Sequence, residues 1–334
     1  MSDDVIKAEG LTKVFNKTLK AVDHVDFSVK QGEIFGFLGP NGAGKTTTIN
    51  MLITIMKPTE GTASVMGHDI LNQAREVRTV IGVVPQEYTA DEDLTGLENI
   101  ILCGDLYGIP RSVSRGRAEE LLTLVELSEF GQKKVQTYSG GMRRRLELAA
   151  GLINRPKVLF LDEPTLGLDV QTRTATWNYI RTLKKEYGMT LFMTTHYLEE
   201  ADALCDRISI IDHGHIIVTG SPEELKNALG GDLVTLSIKE EVDISGLISK
   251  VEHVKEVKKE NGSYMIKSED GEKTTPLIIE ALRKNGYAVT RLSLTKPTLN
   301  EVYLQYTGRS LRDTEESRES FMAQRMTLAR ARGR

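Results

Sequence analysis

The chain has two cysteines, one tryptophan and nine prolines among its 334 residues. Cys103 and Cys205 are far apart and make no CxxC spacing, which argues against a disulfide framework or a zinc ribbon and for two reduced thiols in a cytosolic protein. His213-Gly214-His215 sits in a hairpin-tip context, and two histidines alone make a poor zinc site. Basic charge is not in surplus: 43 Lys and Arg face 47 Asp and Glu, so a nucleic-acid footprint is not expected. Long apolar runs are missing too. Val158–Leu161 and Ile208–Ile211 fall far short of the roughly 20 residues that span a bilayer, so the protein is expected to be soluble by itself. The start, Met1-Ser2-Asp3-Asp4, is acidic with no apolar core behind it, so no secretory signal is expected. The sequons at Asn16 and Asn261 then read as chance matches. The length suits one large domain with a small one, or two of middling size.

What is present is a run, Gly39-Pro40-Asn41-Gly42-Ala43-Gly44-Lys45-Thr46-Thr47, between the apolar segment Ile34–Leu38 and the helix-like segment Thr48–Leu52. Strand, loop and helix are the context that the pattern G-x-x-x-x-G-K-[ST] requires. The glycines let successive backbone N–H groups turn inward, and the helix adds its positive dipole end, so the loop can cradle phosphate oxygens. Lys45 would reach the β- and γ-phosphates, and Thr46 carries the hydroxyl expected on Mg²⁺. A glycine-rich turn without a ligand is the bland alternative.

Upstream, Val5–Glu9 and Ala21–Val29 alternate like strands around a polar turn that holds Phe15, either a purine-stacking ring or a half-buried strand residue. Downstream, Val80–Val84 reads as a buried strand ending at Gln86, whose amide can touch Mg²⁺ or the attacking water, though a loop polar residue is the commoner meaning. Helices are expected at Thr95–Tyr107 and Arg117–Leu127, separated by Gly108-Ile109-Pro110. Ser139-Gly140-Gly141-Met142 opens another helix, capped by Ser139 and able to meet an anion. The arginines at 143–145 read as mostly a solvated face, although their charge opposes the helix dipole and so is not explained by helix stability. Val158–Leu161 fits a buried parallel strand that presents Asp162 and Glu163 at its carboxyl end. Asp162 is placed to hold Mg²⁺, and Glu163 to orient, or take a proton from, the water that attacks the γ-phosphate. Leu166–Asp169 makes a tight turn before a polar helix, and the strand Met189–Thr195 ends at His196, on the same sheet edge and within reach of the γ-phosphate.

Beyond Gly230-Gly231 the pattern changes. Strands at Leu233–Ile238, Val254–Val257, Tyr264–Lys267 and Tyr287–Leu292, with helices near 244–251 and 276–285, give the order of a small ferredoxin-like α+β unit. A short helix at Pro297–Tyr306 should bury Leu299, Val302, Tyr303 and Tyr306 on one face. The Arg-rich tail at 308–334 is expected to be disordered, or weakly attracted to an anionic membrane surface.

In this order the motifs resemble the nucleotide-binding subunit of ABC transporters over residues 4 to 225. Tyr138 and Met142 flank the signature glycines where that family commonly has Leu and Gln, and Leu166 replaces a usual small polar residue. Those flanks, like the C-terminal unit, are similar to the daunorubicin-resistance type of drug and antibiotic exporter. The resemblance implies an α/β P-loop NTPase fold: an ABC-type domain at 4–230 with a mixed, mainly parallel core sheet, an antiparallel β subdomain and a helical subdomain at about 89–155. A C-terminal α+β ferredoxin-like domain at 231–307 follows. ATP and Mg²⁺ are implied as ligands, and ATP hydrolysis as the activity, with Glu163 and His196 catalytic. Phe15 and residues Gly39 to Thr47 would bind ATP in one copy, with Ser139, Gly140, Gly141 and Asp169 supplied by a second copy in a head-to-tail homodimer. Mg²⁺ would rest on Thr46, Gln86 and Asp162. A separate transmembrane permease is the implied partner, placing the protein at the cytoplasmic face of the membrane. A soluble ATPase of the same family acting on ribosomes or DNA is the alternative. That class tends to carry two such domains in one chain, or coiled-coil or zinc insertions, and none is seen in this sequence.

Overall fold

Alternation of buried and exposed side chains builds two long opening strands, β1 (Asp4–Phe15) and β2 (Leu19–Lys30). Strand β3 (Ile34–Leu38), buried at every position, runs into the glycine-rich loop, and α1 (Lys45–Leu52) leaves it. Next come β4 (Glu60–Val65), β5 (His68–Asp69), α2 (Ala74–Val80) and β6 (Ile81–Val84). Helices α3 (Gly96–Leu106), α4 (Arg111–Leu124) and α5 (Gly140–Ala150) precede β7 (Val158–Asp162). Then α6 (Val170–Tyr187), β8 (Thr190–Thr195), α7 (Leu198–Leu204), β9 (Arg207–Asp212) and β10 (His215–Gly220) follow. This computed structural model describes residues 4–240, 242–260 and 263–308. The described residues form two compact units that divide between Thr219 and Gly220.

In the first unit six strands lie in the order β10-β9-β3-β8-β7-β6. The β6–β7, β7–β8, β8–β3 and β3–β9 pairs are parallel, so their carboxyl ends share one edge. Strands β2, β1, β4 and β5 make a separate antiparallel sheet. An apolar core joins the two sheets through Phe27, Phe35, Phe37, Phe160 and Phe192, with ring centroids 5.4 to 5.8 Å apart. At about 1.5–3 kcal/mol per buried large apolar side chain, this cluster is a main anchor of the sheet beneath the loop. Helices α3, α4 and α5 have a core of their own, including Leu97, Ile100, Leu122, Tyr138, Leu146 and Ile153.

Two helices start where their polar first turns hid them. Helix α4 begins at Arg111, six residues before the expected start at Arg117, because Pro110 fixes the entry; its buried stripe is only Ser114, Ala118 and Leu122. Val80, read as strand, instead closes α2, and it packs half-buried against the same core as the buried Val77.

In the second unit α8 (Pro222–Asn227) precedes β11 (Asp232–Ile238), α9 (Ser245–Ile248), β12 (Val254–Glu260), β13 (Ser263–Ser268), α10 (Gly271–Lys284), β14 (Val289–Thr295) and α11 (Leu299–Thr307). The antiparallel order β12-β13-β11-β14, with α9 and α10 between its strands, is ferredoxin-like. Helix α10 starts five residues before Pro276, because Asp270 caps it by accepting from the Lys273 amide at 3.1 Å. On α11 the apolar face is narrower than expected: Leu299, Val302 and Tyr303 are buried, whereas Tyr306 is 41% exposed. The expectation for the tail at 308–334 lies outside the described residues, Gly308 apart.

Candidate active site

The parallel strands β3, β8, β7 and β6 are neighbours, and each delivers one candidate to the shared edge: the glycine loop after β3, His196 after β8, Asp162 and Glu163 at β7, Gln86 beyond β6. Close backbone approach dictates the glycines at the loop's two ends. A Cβ on Gly39 would fall 2.2 Å from the Ile211 carbonyl, and one on Gly44, at φ +109°, would fall 2.4 Å from the Ala21 carbonyl. Asn41, Gly42, Gly44, Lys45, Thr46, Thr47, Gln86 and Glu163 line a cleft of about 150 Å³.

Lys45 is buried and donates to the Gly39 and Pro40 carbonyls at 2.7 and 3.3 Å, while its ammonium lies 2.9 Å from Glu163 Oε1. The other Glu163 oxygen is 2.5 Å from His196 Nδ1, so one carboxylate joins the loop lysine to the histidine. Burial is the largest influence on Glu163 and pushes its carboxyl up, but the His196 hydrogen bond and the Lys45 charge together outweigh it and hold it below the usual range. Glu163 also has φ +50°, a left-handed conformation costing about 1–3 kcal/mol in a non-glycine residue. Its backbone N–H is secured by the Thr194 hydroxyl at 3.0 Å.

Asp162 behaves differently. Burial pushes its carboxyl above the usual range, although the Thr194 and Thr46 hydroxyls donate to its Oδ1 at 2.5 and 3.3 Å and favour the ionised form. Thr46 and Asp162 are thus hard oxygen donors side by side, with Gln86 lining the same cleft, a set that fits Mg²⁺ completed by phosphate oxygens and water. Among the described residues no group of three His, Cys, Asp or Glu could hold a metal alone, so a metal here would rest on mixed ligands.

The three arginines of α5 correct the expectation of a solvated face. Arg143 pairs with Glu92, and Arg145 donates to the Val125 carbonyl at 3.1 Å. Arg144, 3% exposed, donates to four carbonyls: Pro85 at 2.6 Å, Pro164 at 2.6 Å, Asp162 at 3.0 Å and Glu163 at 2.9 Å. One turn on, the buried Glu147 accepts from the Thr89 and Ala90 amides at 2.6 and 2.8 Å. Helix α5 therefore grips the chain on both sides of Gln86. The one signal in the sequence was basic charge at the wrong end of a helix dipole.

Ser139 caps α5, accepting from the Met142 amide at 3.3 Å. Asp169 caps α6 through the Thr172 amide at 3.0 Å and also accepts from the Thr172 hydroxyl at 2.7 Å. A Cβ on Gly141 would meet Thr172 Cγ2 at 2.4 Å, so the two caps are packed against each other. Ser139, Gly140, Gly141 and Asp169 do not line the cleft, and neither does Phe15, half-buried at the end of β1 beside Lys13. Sequence reasoning also missed Glu200 on α7, whose Oε1 accepts from Thr165 and from the indole of Trp177 at 2.8 and 2.9 Å.

A phosphate-binding loop on a parallel edge, backed by an antiparallel sheet and a helical subdomain, defines an ABC-type ATPase. Residues 22–166 match the ABC transporter family model, and residues 220–307 match that of the C-terminal domain of DrrA1-3-like ATP-binding proteins. The chain is 40% identical over 92% of its length, and 97% of the relative's, to the daunorubicin resistance ATP-binding protein DrrA3 of Streptomyces coeruleorubidus. It is 40% identical, over 94% of its length and 96% of the relative's, to the daunorubicin/doxorubicin resistance ATP-binding protein DrrA of Streptomyces peucetius. Its fold is also similar, at TM-score 0.59 and 28% identity over 65% of this chain and 98% of that one, to a dimeric post-hydrolysis state of the ATP-binding cassette MJ0796 bound to ADP and phosphate. The chain belongs to the ATP-binding proteins of ABC transporters, in the branch that carries a DrrA-like C-terminal domain, and is an ATPase.

Proposed function

We propose that two copies of this chain close head to tail over two molecules of Mg-ATP and that hydrolysis drives export of a drug, an antibiotic or another amphipathic compound through a separate membrane subunit. The observation that carries this reading is the Lys45–Glu163–His196 chain of contacts at the mouth of the glycine loop, beside Thr46 and Asp162. Backbone N–H groups of the loop, those of Asn41, Gly42 and Gly44 to Thr47, and the Lys45 ammonium hold the phosphates. Thr46, Asp162 and Gln86 hold Mg²⁺, which when bound neutralises phosphate charge and fixes its orientation. Glu163, ionised because its pKa is lowered, orients the attacking water and accepts its proton, while His196 holds the carboxylate in place and contacts the γ-phosphate. Phe15 stacks on the adenine ring.

Ser139, Gly140, Gly141 and Asp169 lie outside the cleft of their own chain, so they serve the nucleotide of the second copy. ATP is then part of the interface, and its hydrolysis loosens it. Among the described residues no helix is long and apolar enough to cross a membrane, and the membrane path belongs to the permease, with this subunit at its cytoplasmic face. The sequence reading puts the boundary between 230 and 231; we place it instead between Thr219 and Gly220, so that α8 belongs to the accessory domain. Relatives with resistance names over more than nine-tenths of the chain favour transport over action on ribosomes or DNA. Vesicles carrying the permease from the neighbouring reading frame test this: ATP-dependent uptake of an anthracycline supports it, and co-purification with ribosomes in place of a membrane protein refutes it.

A further inference from the structure

Arg144 is a charged side chain buried where an apolar one would pack more cheaply, and all four of its carbonyl partners belong to the catalytic edge. Two of them are the carbonyls of Asp162 and Glu163. A third, Pro85, directly precedes Gln86, and the fourth, Pro164, directly follows Glu163. The turn at Glu163 has φ +50°, and such a turn persists only where its surroundings hold it. The planar guanidinium, with five fixed donors, can satisfy several carbonyls at once, which a lysine ammonium on a flexible stem does poorly. We propose that Arg144 is a positioning residue for hydrolysis: it ties helix α5 to the strained turn that aims Glu163 and to the backbone entering Gln86, within its own chain.

This inference rests on the proposed roles of Glu163 and of the head-to-tail dimer. It has a directional consequence. The tip of α5 at Ser139 would serve the partner's nucleotide, whereas Arg144, five residues further on, acts on the acid of its own chain.

Mixed dimers of full-length chains with different tags test that direction. One copy carries Glu163→Gln, so that a single site turns over, and Arg144→Lys is placed either on the copy with intact Glu163 or on the copy with Glu163→Gln. The expected result is at least a tenfold loss of kcat in the first arrangement and a change within twofold in the second, with the Kd for ATP within twofold in both. Equal losses in both arrangements overturn the inference, because they point to a disturbed α5 tip or a generally weakened fold. No loss in either also overturns it. A fall in kcat that is accompanied by a lower melting temperature and disappears on cooling assigns Arg144 to folding and likewise overturns it. Homodimers of Glu163→Gln serve as the control: full turnover there, or no ATP-dependent dimer, sinks the underlying reading itself, whereas stalled turnover with an inert Arg144→Lys sinks only this inference.

Discussion

Lys45 and Glu163 form an ion pair at 2.9 Å, each only 4% exposed, joining the first residue of α1 to the residue that follows β7. Buried charges of this kind are stable only as a set, and removing one partner leaves the other uncompensated. His196 completes the set through the second carboxylate oxygen.

Glu163→Gln keeps the size of the side chain and removes its charge. Turnover should fall by about 10²–10⁴-fold, the range for losing a general base. ATP binding persists, so a dimer accumulates. Phosphate release and gel filtration with ATP measure the two effects; undiminished release, or a monomer only, would count against the role given to Glu163.

Lys45→Ala removes a charged donor to phosphate. A charge-assisted hydrogen bond is worth about 1.5–3 kcal/mol, so ATP should bind roughly 10- to 100-fold more weakly. An unchanged dissociation constant in calorimetry refutes the contact.

Glu200 governs a pH effect. Burial, the largest influence, raises its carboxyl above the usual range and outweighs the hydrogen bonds from Thr195, Thr165 and Trp177, which favour the ionised form. The native state therefore keeps a proton that the unfolded chain has lost. Native stability falls as pH rises from the ordinary carboxylate value toward the raised one, and it recovers as pH falls back through the raised value. Glu200→Gln should flatten that slope. Trp177, the only tryptophan, donates to Glu200 at 2.9 Å, so its fluorescence during melting at several pH values reports the change locally. An identical pH slope in both proteins rejects the assignment.

The glycine loop, the Asp162-Glu163 pair and His196 were legible as one sheet edge because each is a local pattern at the end of an apolar run, and parallel strands align their ends. The ferredoxin-like order was legible for the same reason, since period-two alternation needs no distant partner. Arg144 was not legible, because its partners lie 18 to 59 residues away in sequence and are carbonyls, which every residue has. Glu200 was hidden similarly: an acid on a short helix looks solvated until Thr165 and Trp177 close over it. The start of α4 was obscured by Arg111, Ser112 and Arg115, which periodicity reads as loop.

Gly141 separates packing from function in the tip of α5. An added methyl would lie 2.4 Å from Thr172 Cγ2, while Thr172 is held by Asp169 through both its amide and its hydroxyl. Gly141→Ala should therefore lower the melting temperature, by overpacking of about 1–3 kcal/mol, and reduce turnover. Adding Thr172→Ser deletes the clashing methyl and keeps the hydroxyl for Asp169, so the melting temperature should return to within a degree or two, since about 1 kcal/mol corresponds to only a few degrees in a chain of this size. If Gly141 also meets the partner's nucleotide at close range, turnover in the double variant stays low despite the restored fold. Full recovery of phosphate release with the melting temperature would mean that the glycine serves only the packing against α6 and has no contact across the dimer.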